Sequence, residues 1–179
     1  MTTFYMVEMS FPFPEERADF DRFYDRHIGM LLSIPGFRSA QRFEATHEAR
    51  APLMAVYELD GPQVLSSEAY TSRAGPRSVS ETYRPKMQSW DRNVLTGPSL
   101  RLDVPAAGWL RIVDRLEARS PPLPPGFAVF TPAGLDRTVL ERGLRAGADA
   151  GAMPPAPGEH SGWTVRTFRP LGVRRTPEG

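Results

Sequence analysis

Apolar residues along this chain recur first at every second position, then at a helical interval, then at every second position again. Thr3 to Ser10 is a short apolar and aromatic run carrying one charge, Glu8, and it is stopped by Pro12 and Pro14, which cannot extend a strand ladder. Phe20, Phe23, Tyr24, His27, Ile28, Leu31 and Leu32 then fall on one face of a 3.6-residue period. Pro14 suits the first helical position and Glu15 and Glu16 its positive end, so the pattern predicts an amphipathic helix of about 18–20 residues. Its opposite face carries Arg17, Asp19, Asp21, Arg22, Asp25 and Arg26, and Ile34-Pro35-Gly36 ends it. Phe37 to Ala45 alternates, with Phe37, Ser39, Gln41 and Phe43 on one face and Arg38, Ala40, Arg42 and Glu44 on the other. Leu53 to Leu59, nearly all apolar, reads as a central strand. A shorter helix with Val64, Leu65, Ala69 and Tyr70 follows Asp60-Gly61-Pro62, then a loop with a helical turn around Val79 to Tyr83. A last strand is expected within Trp90 to Val104, interrupted near Gly97-Pro98.

The order is βαββαβ, the split βαβ arrangement of ferredoxin-like folds: an antiparallel sheet with two helices on one face. Its other face must be buried, either by a second copy of the chain or by more of the same chain. The remaining residues offer strands over Gly108–Glu117, Phe127–Thr131 and Trp163–Pro170. A helical stripe of Leu135, Val139, Leu140 and Leu144 lies between the last two. Pro121 to Pro125 reads as a stiff connector, Ala148 to Ser161 as a small-residue loop, and Arg174 to Gly179 as a disordered tail.

Composition supports a division at residue 104. Residues 1–104 hold 13 of the 18 aromatic residues, whereas 105–179 hold 21 of the 34 prolines and glycines, so the larger core belongs to the first part. We therefore expect residues 1–104 to form the ferredoxin-like domain. Residues 105–179 would be a degenerate second α+β lobe or an extension that covers its sheet. A net charge of +1 over 179 residues offers no footprint for nucleic acid, and 21 arginines against a single lysine follow the Ala, Gly and Pro content rather than a phosphate-binding pattern. The absence of cysteine excludes disulfides, thiolate metal sites and cysteine nucleophiles. No apolar run spans a bilayer and the first residues lack an export signal, so a cytoplasmic protein without membrane contact is expected. Motifs for zinc, nucleotide phosphates, dinucleotides and hydrolase elbows are missing.

The run from Phe20 to Phe37, Phe-Asp-Arg-Phe-Tyr-Asp-Arg-His-Ile-Gly-Met-Leu-Leu-Ser-Ile-Pro-Gly-Phe, resembles the dimeric α/β-barrel superfamily, and within it the EthD-like group. The matching features are Tyr24, the Asp25-Arg26 pair before His27, Leu31-Leu32, and Pro35-Gly36-Phe37. Arg26 and Gly29 depart from the pattern, where many relatives have an acid and a proline. The resemblance covers about residues 3–104 and implies a dimeric or, within one chain, pseudo-dimeric α/β barrel that binds a small organic molecule between helices and sheet. Its members include isomerases, cyclases, cofactor-free monooxygenases and haem enzymes.

His27 lies in the apolar stripe, where desolvation would keep its imidazole neutral and suit it to take a proton from an acidic C–H or a phenol. The alternative is a structural histidine. Tyr24, one turn away, together with Tyr5 and Tyr57 on the strands, could offer hydroxyls to a developing oxyanion, or simply pack as core. Arg42 could pair with a substrate carboxylate or be an exposed sheet arginine, and Trp90 could close the pocket. His47 and His160 read as surface residues. Haem ligation by His27 is admitted by the resemblance alone; the residues themselves call for no cofactor and no metal.

Overall fold

The computed structural model describes residues 1–74, 81–156 and 162–177. Its elements are β1 (Thr2–Ser10), α1 (Arg17–Leu32), β2 (Phe37–Ala45), β3 (Leu53–Leu59), α2 (Glu68–Thr71), β4 (Gln88–Gly97), β5 (Trp109–Arg115), β6 (Ala128–Leu135), β7 (Glu141–Gly147) and β8 (Trp163–Pro170). The eight strands form a closed antiparallel barrel in the order β1-β3-β2-β8-β5-β7-β6-β4. In each half of the chain the strands run in the same order, β4-β1-β3-β2 and β8-β5-β7-β6. The halves meet where β2 pairs with β8 and β4 with β6. Among the described residues no helix is long and apolar enough to cross a membrane.

Alternation along the strands feeds two cores. Phe4 and Met6 of β1 point into the barrel with Phe43, Met54, Val56, Leu95, Leu110, Ile112, Phe130, Leu144 and Phe168. Tyr5, Val7 and Met9 point outward beneath α1, against Phe20, Tyr24, Ile28 and Leu31. This double cover explains why the first and third strands read as nearly continuous apolar runs: neither face is left to solvent. On β2 the register slips between Phe37 and Ser39. That bulge places Phe37 in the outer core and Phe43 in the inner one, so the two do not share the single face that strict alternation predicts. Gly36, at φ +96°, makes the turn into β2, and a Cβ there would lie 2.5 Å from a methyl group of Val64.

Two sequence-based expectations fail. The stripe Leu135, Val139, Leu140 and Leu144 is not helical: Leu135 ends β6, Leu140 is exposed, and Leu144 faces the barrel interior from β7. Its four-residue spacings were coincidental, and ladders to β5 and β6 on both sides of β7 override a weak helical preference that Gly143 and Gly147 lower further. The described part of residues 105–179 is therefore strands and irregular chain, with a short 3₁₀ turn at Ala150–Ala152 as its helical content. The tail is ordered through Pro177: the Arg175 backbone N–H and C=O both bond to Ala40, at 2.8 and 2.9 Å, and the Arg174 guanidinium meets Glu58 at 3.0 Å. The helical turn expected from Val79 begins outside the described residues; a 3₁₀ turn follows at Arg84–Lys86.

Inside the barrel four charges form a closed ring that hydropathy could not reveal. Glu8 of β1, Asp114 of β5, Arg142 of β7 and Arg166 of β8 alternate in sign. Arg142 Nε lies 2.6 Å from Asp114, and Arg166 bonds Glu8 at 2.5 Å and Asp114 at 2.7 Å; Arg142 also pairs with Glu8. Burial pushes the Glu8 carboxyl up, but the two guanidinium groups outweigh it and hold it at about 2. The ring floors an open cavity of about 470 Å³ at one end of the barrel, with exposed His47 on the rim.

The seam between β4 and β6 is tight. A Cβ on Gly97 would lie 2.8 Å from the Val129 carbonyl oxygen and 2.6 Å from the Phe130 ring. Gly97→Ala should therefore destabilise the protein by about 1–3 kcal/mol, read as a lower urea midpoint with an unchanged slope. A midpoint equal to that of the parent would show that the seam can relax.

Candidate functional site

Between α1 and the outer face of the sheet lies a small cavity. α1 supplies Phe23, Tyr24, His27 and Leu31 at helical spacing. β1 supplies Tyr5 and Val7, β3 supplies Tyr57, α2 supplies Tyr70, and the start of β4 supplies Trp90 and Arg92, with Met87 just before it. Tyr5 and Tyr57 are direct partners across β1 and β3, their rings stacked at 5.5 Å. The imidazole of His27 sits 5.9 Å from the Phe23 ring, nearly parallel to it, and 5.7 Å edge-on from Tyr24.

Half-buried and without a hydrogen bond among the described residues, His27 is desolvated, which lowers its pKa to about 4 and leaves it neutral at pH 7. Burial raises the Tyr24 hydroxyl to about 12, against the pull of Arg42, and raises Tyr5 and Tyr57 well above the ordinary tyrosine value. All these groups are therefore neutral at physiological pH: the phenols can donate, and the imidazole can accept. The Tyr57 hydroxyl and the Trp90 indole N–H are buried without a hydrogen bond of normal geometry. Such groups incur the desolvation penalty of an unmade bond, about 1–3 kcal/mol each.

Five of the six residues singled out from sequence, His27, Tyr24, Tyr5, Tyr57 and Trp90, thus line one cavity. Arg42 does not line it. It is 9% exposed rather than solvated, its guanidinium 4.8 Å over the Tyr24 ring and 2.5 Å from Asp21. Its position behind Tyr24 makes it a support for that ring. Sequence reasoning missed Tyr70 and Arg92. Arg92 was legible in principle, since it follows Trp90 by two on a strand and so shares its face; its guanidinium lies 5.1 Å over the Trp90 ring. Tyr70 arrives from α2 by tertiary folding alone.

The void measures about 20 Å³, close to the room for one water. A haem macrocycle does not fit between His27 and these rings, and among the described residues no group of three or more His, Asp or Glu side chains is placed to hold a metal ion.

No family model matches the chain, and no curated protein matches it. Among solved structures, a provisionally assigned monooxygenase from Lactobacillus acidophilus NCFM is 11% identical, with a TM-score of 0.59 over 99% of this chain and 97% of that one. An anthrone oxidase-like protein is 9% identical, with a TM-score of 0.60 over 99% and 94%. At these identities the likeness speaks for the fold: this chain is an α+β protein built on an eight-stranded closed antiparallel barrel, similar to those two along nearly its whole length.

Proposed function

We propose that this protein binds a small, planar, partly apolar carbonyl compound, aromatic or polyketide-like, between α1 and the outer sheet face, and acts on it without a cofactor as a monooxygenase, isomerase or cyclase. The observation that carries this reading is the convergence of one neutral imidazole, four phenols and a guanidinium on a single aromatic-walled cavity, two of whose buried polar atoms make no hydrogen bond of normal geometry among the described residues. His27 takes a proton from a C–H beside the carbonyl. At about 4 it is a weak base alone, but an enolate formed in contact with it in a site of low dielectric stabilises the imidazolium. The enolate oxygen is met by the Tyr57 hydroxyl and by the positive charge of Arg92. In the oxygenating branch the substrate carbanion is itself the reductant: O₂ adds at the carbanion carbon, and loss of water leaves a new carbonyl there. The names of the two structural neighbours favour this branch.

Binding can be followed through tryptophan fluorescence. An anthrone should quench the emission saturably in the parent protein, and quenching should be lost in Trp90→Phe. Tyr57→Phe should slow conversion to the anthraquinone by about tenfold or more, the effect of losing one oxyanion donor. Absence of saturable quenching by anthrones and related phenolic ketones would sink the reading. The volume of the void favours a second reading, a non-catalytic binding module with a structural His27: ligands of this class need about 300 Å³ or more, so Phe23, Met87 and Trp90, all half-buried, must move aside to admit one.

We also propose that residues 1–104 and 105–179 are the two lobes of a pseudo-dimeric barrel of ferredoxin-like type, placed in the EthD-like group and acting in the cytoplasm. The barrel closes within one chain, leaving no sheet edge for a partner. Light scattering should give a monomer of 20.0 kDa; a stable dimer would show that another surface assembles.

A further inference from the structure

Because the strand order β4-β1-β3-β2 is repeated as β8-β5-β7-β6, each position on the outer face of the first half has a counterpart in the second. The registers specify it. Tyr5 of β1 faces Tyr57 of β3 and Val94 of β4; Arg111 of β5 faces Arg145 of β7 and Thr167 of β8. The correspondence is anchored by the inward acids Glu8 and Asp114, each three residues farther along its strand. The pair of phenols that floors the first cavity is thus a pair of guanidinium groups in the second half, where no α-helix among the described residues covers them.

Arg111 is 3% exposed and has no carboxylate partner among the described residues. Its Nε donates to Thr167 Oγ1 at 3.3 Å and its Nη1 to the Pro154 and Pro155 carbonyls at 2.5 and 2.8 Å, and its guanidinium lies 5.7 Å from the centre of the Trp109 ring, so among the described residues its charge is met by neutral groups and no anion. Arg145, opposite it, is exposed and makes no ion pair or hydrogen bond among the described residues. Asp149, on the loop after β7, accepts from the Gly151 N–H instead. Like charges facing across strands repel, and a buried cation without a counter-ion is costly. Burial, and then the charge of Arg145, hold the Arg111 pKa below its ordinary value. The flanking residues on β7 are glycines: the Phe127 side chain lies 3.0 Å from where a Cβ of Gly143 would be, and the Trp109 indole 2.6 Å from that of Gly147. Two guanidinium groups therefore stand between two aromatic walls.

We propose that this face is a second binding site, which takes an oxyanion, the carboxylate or phosphate group of a small molecule, between Arg111 and Arg145, with the Thr167 hydroxyl as a further donor. Planar guanidinium forks suit both groups, and a bound anion offsets both the repulsion and the desolvation. The site is independent of the chemistry at His27.

The test uses the intact protein and two probes, inorganic phosphate and acetate, each added at constant ionic strength with chloride as balance. At least one should raise the melting temperature saturably at millimolar concentration, and which one does so assigns the group. In Arg145→Gln, whose side chain is exposed and bonds nothing among the described residues, the affinity should fall about tenfold or more, the loss of a charge-assisted bond. Arg101→Gln, on an exposed loop, should match the parent. Arg111→Gln could fail by releasing the Pro154-Pro155 segment, so the decision rests on Arg145→Gln. If neither probe acts saturably, or if Arg145→Gln responds like the parent, the proposal is overturned and Arg111 is an anchor for that segment alone.

Discussion

His27→Ala is expected to lower kcat/KM for the ketone substrate by about 10²–10⁴-fold, the usual contribution of a positioned general base, while the protein stays folded. An unchanged rate would make His27 structural. The pH profile tests the same assignment independently. With a pKa near 4 the imidazole is already neutral at pH 5.5, so the rate should be flat from there to pH 8 and fall only as pH drops toward 4. An inflection near 6.5 would mean a solvated ring. Stability carries the matching signature. Between pH 6.5 and 4 the unfolded chain binds a proton at His27 that the native protein refuses, so stability falls as pH falls through that window. Allowing for the partial exposure of the ring, the loss is about 1–2 kcal/mol. Urea midpoints at pH 6.5 and 5 should differ in the parent and converge in His27→Ala. The contribution of Glu8 is lost below about pH 4.5, outside the interval between those two midpoints.

The largest effect on stability is expected at Arg142, 1% exposed in the barrel. Arg142→Met leaves Glu8 and Asp114 buried with Arg166 as their remaining partner, and breaking a buried pair from one side costs about 3–5 kcal/mol. For a chain of this length that is a fall in Tm of about 6–20 °C by calorimetry. A variant with all four charges replaced by apolar residues should be far less damaged, because no ion is then left stranded. The folded pKa of Glu8 is depressed, so its contribution is present above about pH 4.5 and is lost as pH falls toward 2. Arg142→Met should move that acid unfolding to higher pH. A change in Tm under 3 °C would mean that water reaches the ring and screens it.

Much of the first half was legible from residue order. The range Phe37–Ala45 and the range Leu53–Leu59 coincide with β2 and β3, and the seven-residue stripe from Phe20 to Leu32 lies on α1, because period and turn residues act over a few neighbours. The same local logic placed His27, Tyr24, Tyr5, Tyr57 and Trp90 on faces that meet. It failed at Leu135–Leu144, where a helical spacing existed but cross-strand pairing, a long-range interaction, won. It could not see Tyr70 entering the cavity or Arg42 turning inward onto Tyr24.

By itself the sequence determined which segments are amphipathic, with what period, and that no cysteine chemistry is possible. Only the tertiary structure decided that the second half closes the barrel as strands, that Glu8, Asp114, Arg142 and Arg166 neutralise one another in its interior, and that Arg111 faces Arg145. The reason is physical. Period and turn propensity are properties of adjacent residues, whereas charge pairing and strand register depend on which distant residues share a face, and that is set only when the barrel closes.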